Sequence, residues 1–570
     1  VISGSTHSKF EITIIRQALA MEVVMKLSRL FLGASLAVFV CPFTLRAQET
    51  HQHKHEMGEK LGRVNFSVSC NRAAQQQFTR AVALLHSFWY AEAEKGFVEV
   101  TKADPKCGMG YWGIAMSFYH PVWAAPVAAE LQNGMTAVQK ANVTGAQTQR
   151  ERDYIAAIES FYKDAAKFDH LTRARSYERA MEQLYVRYPK DHEAAVFYSL
   201  ALLGTALPTD KTYANQKKAA EILNKVLSVE PEHPGVAHYL IHSFDYPALA
   251  TLALDAARSY AKIAPSSPHA LHMPSHIFTR LGLWQESIES NIASATAAKN
   301  HVAKTHPGAA AFDELHAMDY LAYAYLQTAQ DGKVKELVDA LYGMNKVDAN
   351  IFSAAYAFAA IPARYALERR QWSEAAALKV HPTDFPWNKF AYAEAIIYFA
   401  RSLGASRSGD AAAASKDVER LGSIQRLLAE SKENYWATQV EIQRRTAAAW
   451  LAHAEGKQDE ALKLMRSATD LEDTTEKAPV TPGAIVPARE LLGELLLELR
   501  EPQQALKEFE ASLLVSPNRF NGLYGAAKAA ELSGDRKKAA VFYAKLTALG
   551  ERSDGKRPEL QAAKVFLASK

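Results

Sequence analysis

Residues 492–543 read LGELLLELREPQQALKEFEASLLVSPNRFNGLYGAAKAAELSGDRKKAAVFY, and one internal spacing recurs through them. Leu492 Gly493 is answered by Ala526 Ala527, Ala505 by Ala539 and Phe509 by Tyr543, always at the same interval in sequence number. Pro517 closes the first half, and Gly534 Asp535 falls at a turn inside the second. Apolar residues within each half recur at the three- and four-residue intervals of a helix buried on one face. The unit is therefore a pair of helices. Gly and Ala allow close approach within the pair, larger apolar residues fill the remaining space, and Pro stops the second helix. One pair cannot bury its own apolar face, so such units must stack.

The same spacing extends towards the amino end. Pro231 and Pro265 are one such interval apart, and Ala219, Ala253 and Ser287 hold the small second-helix position at successive intervals. Weaker matches are Ala93, Phe97 and Pro105 ahead of Tyr111 Trp112 Gly113, and Gly456 with Ala461. Sustained two-residue alternation bounded by hairpin turns is scarcely present, so the expected class is all-α. The pattern resembles the tetratricopeptide repeat (TPR) family, whose unit is about 34 residues long. In that family Leu-Gly marks the first helix, a small residue and an aromatic the second, and Pro the end. The resemblance covers roughly two thirds of the chain after residue 47, with degenerate or lengthened repeats around 125–195 and 340–445. It implies an α-solenoid of helix-turn-helix repeats whose first helices line a concave groove, where this family holds peptide or protein partners.

Segments rich in Pro, Gly or small polar residues, at 296–312, 379–388, 403–412 and 470–484, are expected loops, with 470–484 the best boundary candidate. The resulting organisation is a signal peptide with an upstream extension (1–47), a His-containing flexible tail (48–64), a TPR-like solenoid with a His-rich groove (65–345), degenerate helical repeats (346–480) and a carboxyl-terminal TPR pair (481–570).

Composition narrows the function. Hydrophobic residues at 48% and charged residues at 22% of 570 exclude wholesale disorder and a polytopic membrane protein. Lysine plus arginine total 66 against 62 acids, with no long basic run, so nucleic acid is not an expected partner. Met25 to Arg29 supplies a short basic segment, followed by an apolar run from Leu30 to Val40 and a small residue at Ala47. This reads as a secretory signal cleaved after Ala47, and the apolar run is too short to span a bilayer comfortably. The mature chain is thus expected in the periplasm or outside the cell, with no membrane span. Cys41 is a poor lipid-anchor site, because Phe39 and Val40 precede it in place of small residues. Cleavage leaves Cys70 and Cys107 as the two remaining cysteines in an oxidising compartment, where one disulfide is the economical reading and two buried thiols the alternative.

The histidines are not evenly spread. Nine of 19 fall between residues 233 and 316 (His233, His238, His242, His269, His272, His276, His301, His306 and His316), where an even spread would put about three. His238 with His242 in HYLIH and His272 with His276 in HMPSH each have the i, i+4 spacing that places two imidazoles on one helical face. The pairs are themselves one repeat interval apart, so they occupy equivalent places on adjacent first helices. Aligned with the family pattern they face the groove, His316 corresponds to His269 and Asp319 to His272. Neighbouring helix axes about 8–10 Å apart allow two pairs to share one ion, giving one expected four-histidine site. Asp245, Asp313 and Asp319 are candidates to add a carboxylate ligand or to orient a ring.

An all-imidazole site in an exported protein suits copper or zinc, and iron less well. The alternative is that one accidental histidine pair was copied by duplication and that the groove is a scaffold for peptides or proteins. His51, His53 and His55 alternate in the expected tail, a spacing that can scavenge metal. His86 and His120 sit among Phe88, Trp89, Tyr90, Tyr119 and Trp123, where packing is the simpler role. No Gly-rich phosphate loop, GxSxG elbow or HExxH is present, so the sequence establishes neither a nucleotide cofactor nor catalysis. Were there an enzyme here, a metal-dependent oxidoreductase is the first expectation.

Overall fold

In the computed structural model, which describes residues 59–122 and 125–569, the spacing seen in the sequence becomes physical contact. Helices Ala488–Glu498 and Pro502–Val515 form one hairpin, and Phe520–Leu532 with Arg536–Leu549 the next. Phe509 is wedged between Gly493 of its own hairpin and Gly525 of the following one; a Cβ at those glycines would lie 2.8 and 2.3 Å from its ring. The period thus repeats a ring that needs bare backbone on both sides. The same wedge recurs near the amino end, where a Cβ on Gly113 would lie 2.1 Å from the Phe97 ring. Within hairpins the chain reverses through one left-handed residue, such as Gly456 (φ +78°) or Gly534 (φ +81°), and Asp535 then caps the second helix by accepting from the Lys538 amide at 3.0 Å.

Successive helices pack side by side along the described chain, making an all-α solenoid of paired helices. Among the described residues there is no strand beyond an isolated bridge between Ala310 and Val347, and no helix long and apolar enough to cross a membrane. The buried apolar residues gather into one large cluster running from Leu61 to Phe278 and another from Leu315 to Ala563. The histidine-rich segment lies at the junction of the two.

Several expectations need adjustment. Residues 296–305 belong to the 22-residue helix Trp284–Thr305, and 403–407 to the helix Ala391–Arg407. Many of the small residues there are Ala, the strongest helix former, which favours helix over loop. Residues 59–64, expected in a flexible tail, pack beside Glu232 and Ser266: Leu61 and Val64 are buried, the Arg63 amide donates to the Glu232 carbonyl at 2.9 Å, and the Lys60 amide donates to Ser266 Oγ at 2.8 Å. Segment 470–484 begins as the end of the helix Gln458–Asp473 and continues as a strap laid into the molecule, with Ala478, Val480 and Thr481 buried. Cys70 and Cys107 are joined as a disulfide, Cα–Cα 5.2 Å, tying the start of the first helix to the start of the third. The expected signal segment, Cys41, His51, His53, His55 and Trp123 lie outside the described residues.

Candidate metal centre

The helix Pro234–Phe244 is capped by His233, whose Nδ1 accepts from the Val236 amide, and it places His238 and His242 on one face. One repeat later, Pro274 divides the helix into Pro268–His272 and Pro274–Leu281. Met273 keeps helical angles (φ −53°, ψ −35°), so His272 and His276 still share a face across the proline. All six histidines of this region are interior: none of His238, His242, His269, His272, His276 and His316 exceeds 8% exposure. They do not line an open groove wall, as the register had implied.

Nor do the two pairs converge on one point. Each recruits a third histidine from the next repeat. His238 and His242 are joined by His269, and His272 and His276 by His316, with the ligand atoms of each triad within 4.8 Å of one another. The segment from Pro268 to Leu281 therefore divides its histidines. The His269 ring lies 5.1 Å from that of His238, while the His272 ring lies 4.1 Å from that of His316. Asp319 joins neither triad; its carboxylate is held by the buried guanidinium of Arg364. Asp313 is likewise absent from both groups, and burial followed by repulsion from Asp348 pushes its carboxyl up to about 7.

Hydrogen bonds around the rings fix which nitrogen carries the proton. The Nδ1–H of His238 donates to the His86 carbonyl at 2.6 Å. That of His272 donates to Asn291 Oδ1 at 2.6 Å, and the Asn291 amide is oriented by its own donation to the Ser287 carbonyl at 2.7 Å. The Nδ1–H of His276 donates to Asp245 Oδ2 at 3.0 Å. Burial alone would raise the Asp245 carboxyl, yet Lys477, Arg280 and His276 together hold it well below the usual carboxylate range. It is an anion that can only accept. His238, His272 and His276 therefore all turn bare Nε2 lone pairs inward.

The consequence is sharpest in the second triad. His272 Nε2 and His276 Nε2 face each other at 3.0 Å with both ring protons already committed elsewhere. Two lone pairs at that distance repel unless a cation lies between them. Two nitrogens bound to one tetrahedral ion at the usual bond length stand about 3.3 Å apart, close to the spacing here. In the first triad His242 Nε2 lies 3.1 Å from His238 Nε2, where a neutral His242 can satisfy the contact by donating. Burial pushes His238 down to about 3 and holds His242, His269, His272 and His316 well below the ordinary histidine value. His276 is lowered too, by burial acting against the neighbouring Asp245. Neutral imidazole is the form that binds a metal.

Aromatic rings and the strap enclose the centre. Phe88 covers the first triad, with ring centroids 4.3 Å from His238 and 5.6 Å from His242. Tyr320 covers the second at 4.7 Å from His272 and 5.1 Å from His276, and its hydroxyl donates to the Thr481 carbonyl of the strap at 3.0 Å. Lys477 of the strap reaches Asp245 at 2.7 Å, the same carboxylate that holds His276. Beyond the strap lies a cavity of about 320 Å³ whose walls include Arg280, Lys477, Tyr356, Tyr392 and Trp436.

A third buried group was not foreseen as a cluster. Glu193 accepts from His86 Nε2 at 2.9 Å and from His233 Nε2 at 3.0 Å, while His86 Nδ1 accepts from the Tyr239 hydroxyl at 2.9 Å. Every nitrogen there has a partner of the right sense. The sequence reading also missed Asn291, Tyr320 and Lys477. Asn291 had a signal, since it stands one repeat interval after Ala257 and puts a polar side chain where that repeat has a small apolar one.

No family model and no curated protein matches the chain. Among solved structures, similar chains include a tetratricopeptide repeat protein from Parabacteroides merdae ATCC 43184 (14% identity, 53% of this chain and 98% of that one, TM-score 0.28). Others are yeast Tom70 (10% identity, 87% and 96%, TM-score 0.33) and the APC/C hetero-tetramer Cut9-Hcn1 (13% identity, 87% and 89%, TM-score 0.31). Likenesses this distant carry no argument about function, and the repeat assignment rests on the chain's own hairpins. By its paired helices and the regular recurrence of its Gly and Phe contacts, this protein is a TPR-like α-solenoid.

Proposed function

We propose that this protein is an exported metal-binding solenoid that holds a transition metal in its interior, at the triad His272, His276 and His316. One observation carries the reading: the bare Nε2 atoms of His272 and His276 lie 3.0 Å apart while both Nδ1 protons are donated to fixed acceptors. A proton is a poor substitute for the metal, because burial disfavours the charged imidazole at both positions. The donor set is all imidazole, which suits copper or zinc; iron of the two-histidine-one-carboxylate type would need a carboxylate, and neither triad includes one. Asp245 and Asn291 set ring orientation, and Asp245 raises the basicity of His276 as a ligand. The disulfide between Cys70 and Cys107 supports an oxidising, exported setting.

The test is elemental analysis of untagged protein, with chelator-treated and reconstituted samples beside it. Bound copper or zinc that falls sharply in His272→Ala, with helical circular dichroism retained, is the expected result. Absence of metal after reconstitution contradicts it.

A second reading, a scaffold for a peptide or protein partner, draws on the cavity beyond the strap, where Tyr392 and Trp436 stack at 4.3 Å with planes 11° apart. Under that reading a partner stays bound after exhaustive chelation and is lost on Trp436→Ala. The two roles occupy different sites and are separately testable.

A further inference from the structure

The two triads are built to one plan. Each takes an i, i+4 pair from one repeat and a single histidine from the next, and the pairs are one repeat interval apart. The triads also touch. The His269 ring lies 6.0 Å from that of His272, and the His242 ring 6.1 Å from that of His276, so six imidazoles form one continuous buried array. Two sets of three nitrogen donors built to one plan thus lie side by side in an interior where Arg280 and Lys477 are committed to Asp245.

We propose that the protein carries a two-ion centre, with one transition-metal ion in the His238, His242 and His269 triad and a second in the His272, His276 and His316 triad. This rests on the metal reading above. Three imidazoles to each ion leave a coordination position open on both, which is the arrangement for a ligand shared between two metals. A ligating nitrogen places its ion about 3 Å from the ring centre, so with facing rings 6.0 and 6.1 Å apart the two ions stand no more than about 12 Å apart. The sites are inequivalent. The second triad has rings oriented by Asn291 and by the anionic Asp245, the first by the His86 carbonyl, so the second fills first. The Glu193 group is not a third site, because its two imidazoles already donate to the carboxylate.

Copper(II) titration of chelator-stripped, full-length protein tests this, with retained copper measured after desalting and continuous-wave electron paramagnetic resonance with spin counting on the loaded sample. Expected are two equivalents, filling in two steps, with the second broadening the spectrum of the first or lowering its counted spins, as ions no more than about 12 Å apart must. His269→Gln and His316→Gln should each reduce the content to one equivalent and abolish that effect. A single equivalent in the parent protein, or two whose spins count in full with the unbroadened spectrum of isolated copper(II), overturns the two-ion centre whatever the variants do. Two equivalents that persist in both variants overturn it as well. Failure to take up any copper overturns the metal reading beneath it, and so is distinguishable from these.

Discussion

Two buried clusters in this chain each gather three titratable side chains from separate segments, two histidines and a glutamate in one and three histidines in the other, and they differ in where the protons are. In the Glu193 group, the carboxylate sits between His86 and His233, and each imidazole donates to it. In the second triad the donations run outward to Asn291 and Asp245, leaving His272 Nε2 and His276 Nε2 opposed at 3.0 Å. Burial is the same in both, and so is the count of titratable groups. Burial and residue type therefore do not separate a structural histidine cluster from a ligand set; the direction of each hydrogen bond does.

The largest expected effect is on acid stability. All six triad histidines are held neutral by burial, His238 at about 3 and most of the others also well below the ordinary value. Unfolding lets them take up protons below about 6.5, so the unfolded state binds more protons than the folded one as pH falls from there. Stability is complete above that value and drops on acidification by up to about 1.4 kcal/mol per pH unit for each histidine. Chemical denaturation of metal-free protein between pH 7.5 and 5 measures this. If stability instead rises on mild acidification, a shared proton satisfies the His272–His276 contact, and the second triad becomes a closed network like that of Glu193.

Glu193→Ala comes next. It leaves two buried N–H groups without their acceptor and should cost about 3–5 kcal/mol, while metal uptake by the folded fraction at the second triad is preserved. Loss of that metal with intact stability would reverse the roles assigned to the two clusters. Asp245→Asn is a smaller change, expected to weaken metal binding about 10- to 100-fold by removing the anion behind His276, as read by competition with a chromogenic chelator. Asn291→Ala should weaken it least, by about tenfold, because a neutral amide orients His272 without adding charge. Equal effects from the two substitutions would show that orientation alone matters.

The fold was legible because the repeat is written in residues whose size has one purpose: Gly493, Phe509 and Gly525 are a wedge and its two seats. The histidine pairs were legible for the same reason, since a helix puts i and i+4 on one face whatever surrounds it. Their grouping was not. Residues three apart, such as His269 and His272, share a face on an isolated helix, yet stacking turns one to each neighbouring repeat and replaces the expected single four-histidine site with two triads. Asp319 was lost to Arg364, a partner 45 residues away in another hairpin. Lys477 reaches Asp245 across 232 residues, on a strap whose path nothing in the local sequence records. Contacts within a repeat follow from its spacing, whereas contacts between distant segments depend on how the whole solenoid closes.

The most direct measurement is an anomalous difference map, collected at the absorption edge of copper or zinc, from crystals of reconstituted protein. A peak between His272 Nε2 and His276 Nε2, within bonding distance of both, is the predicted result. A fully occupied, ordered His272–His276 pair with no anomalous density between the rings would contradict it.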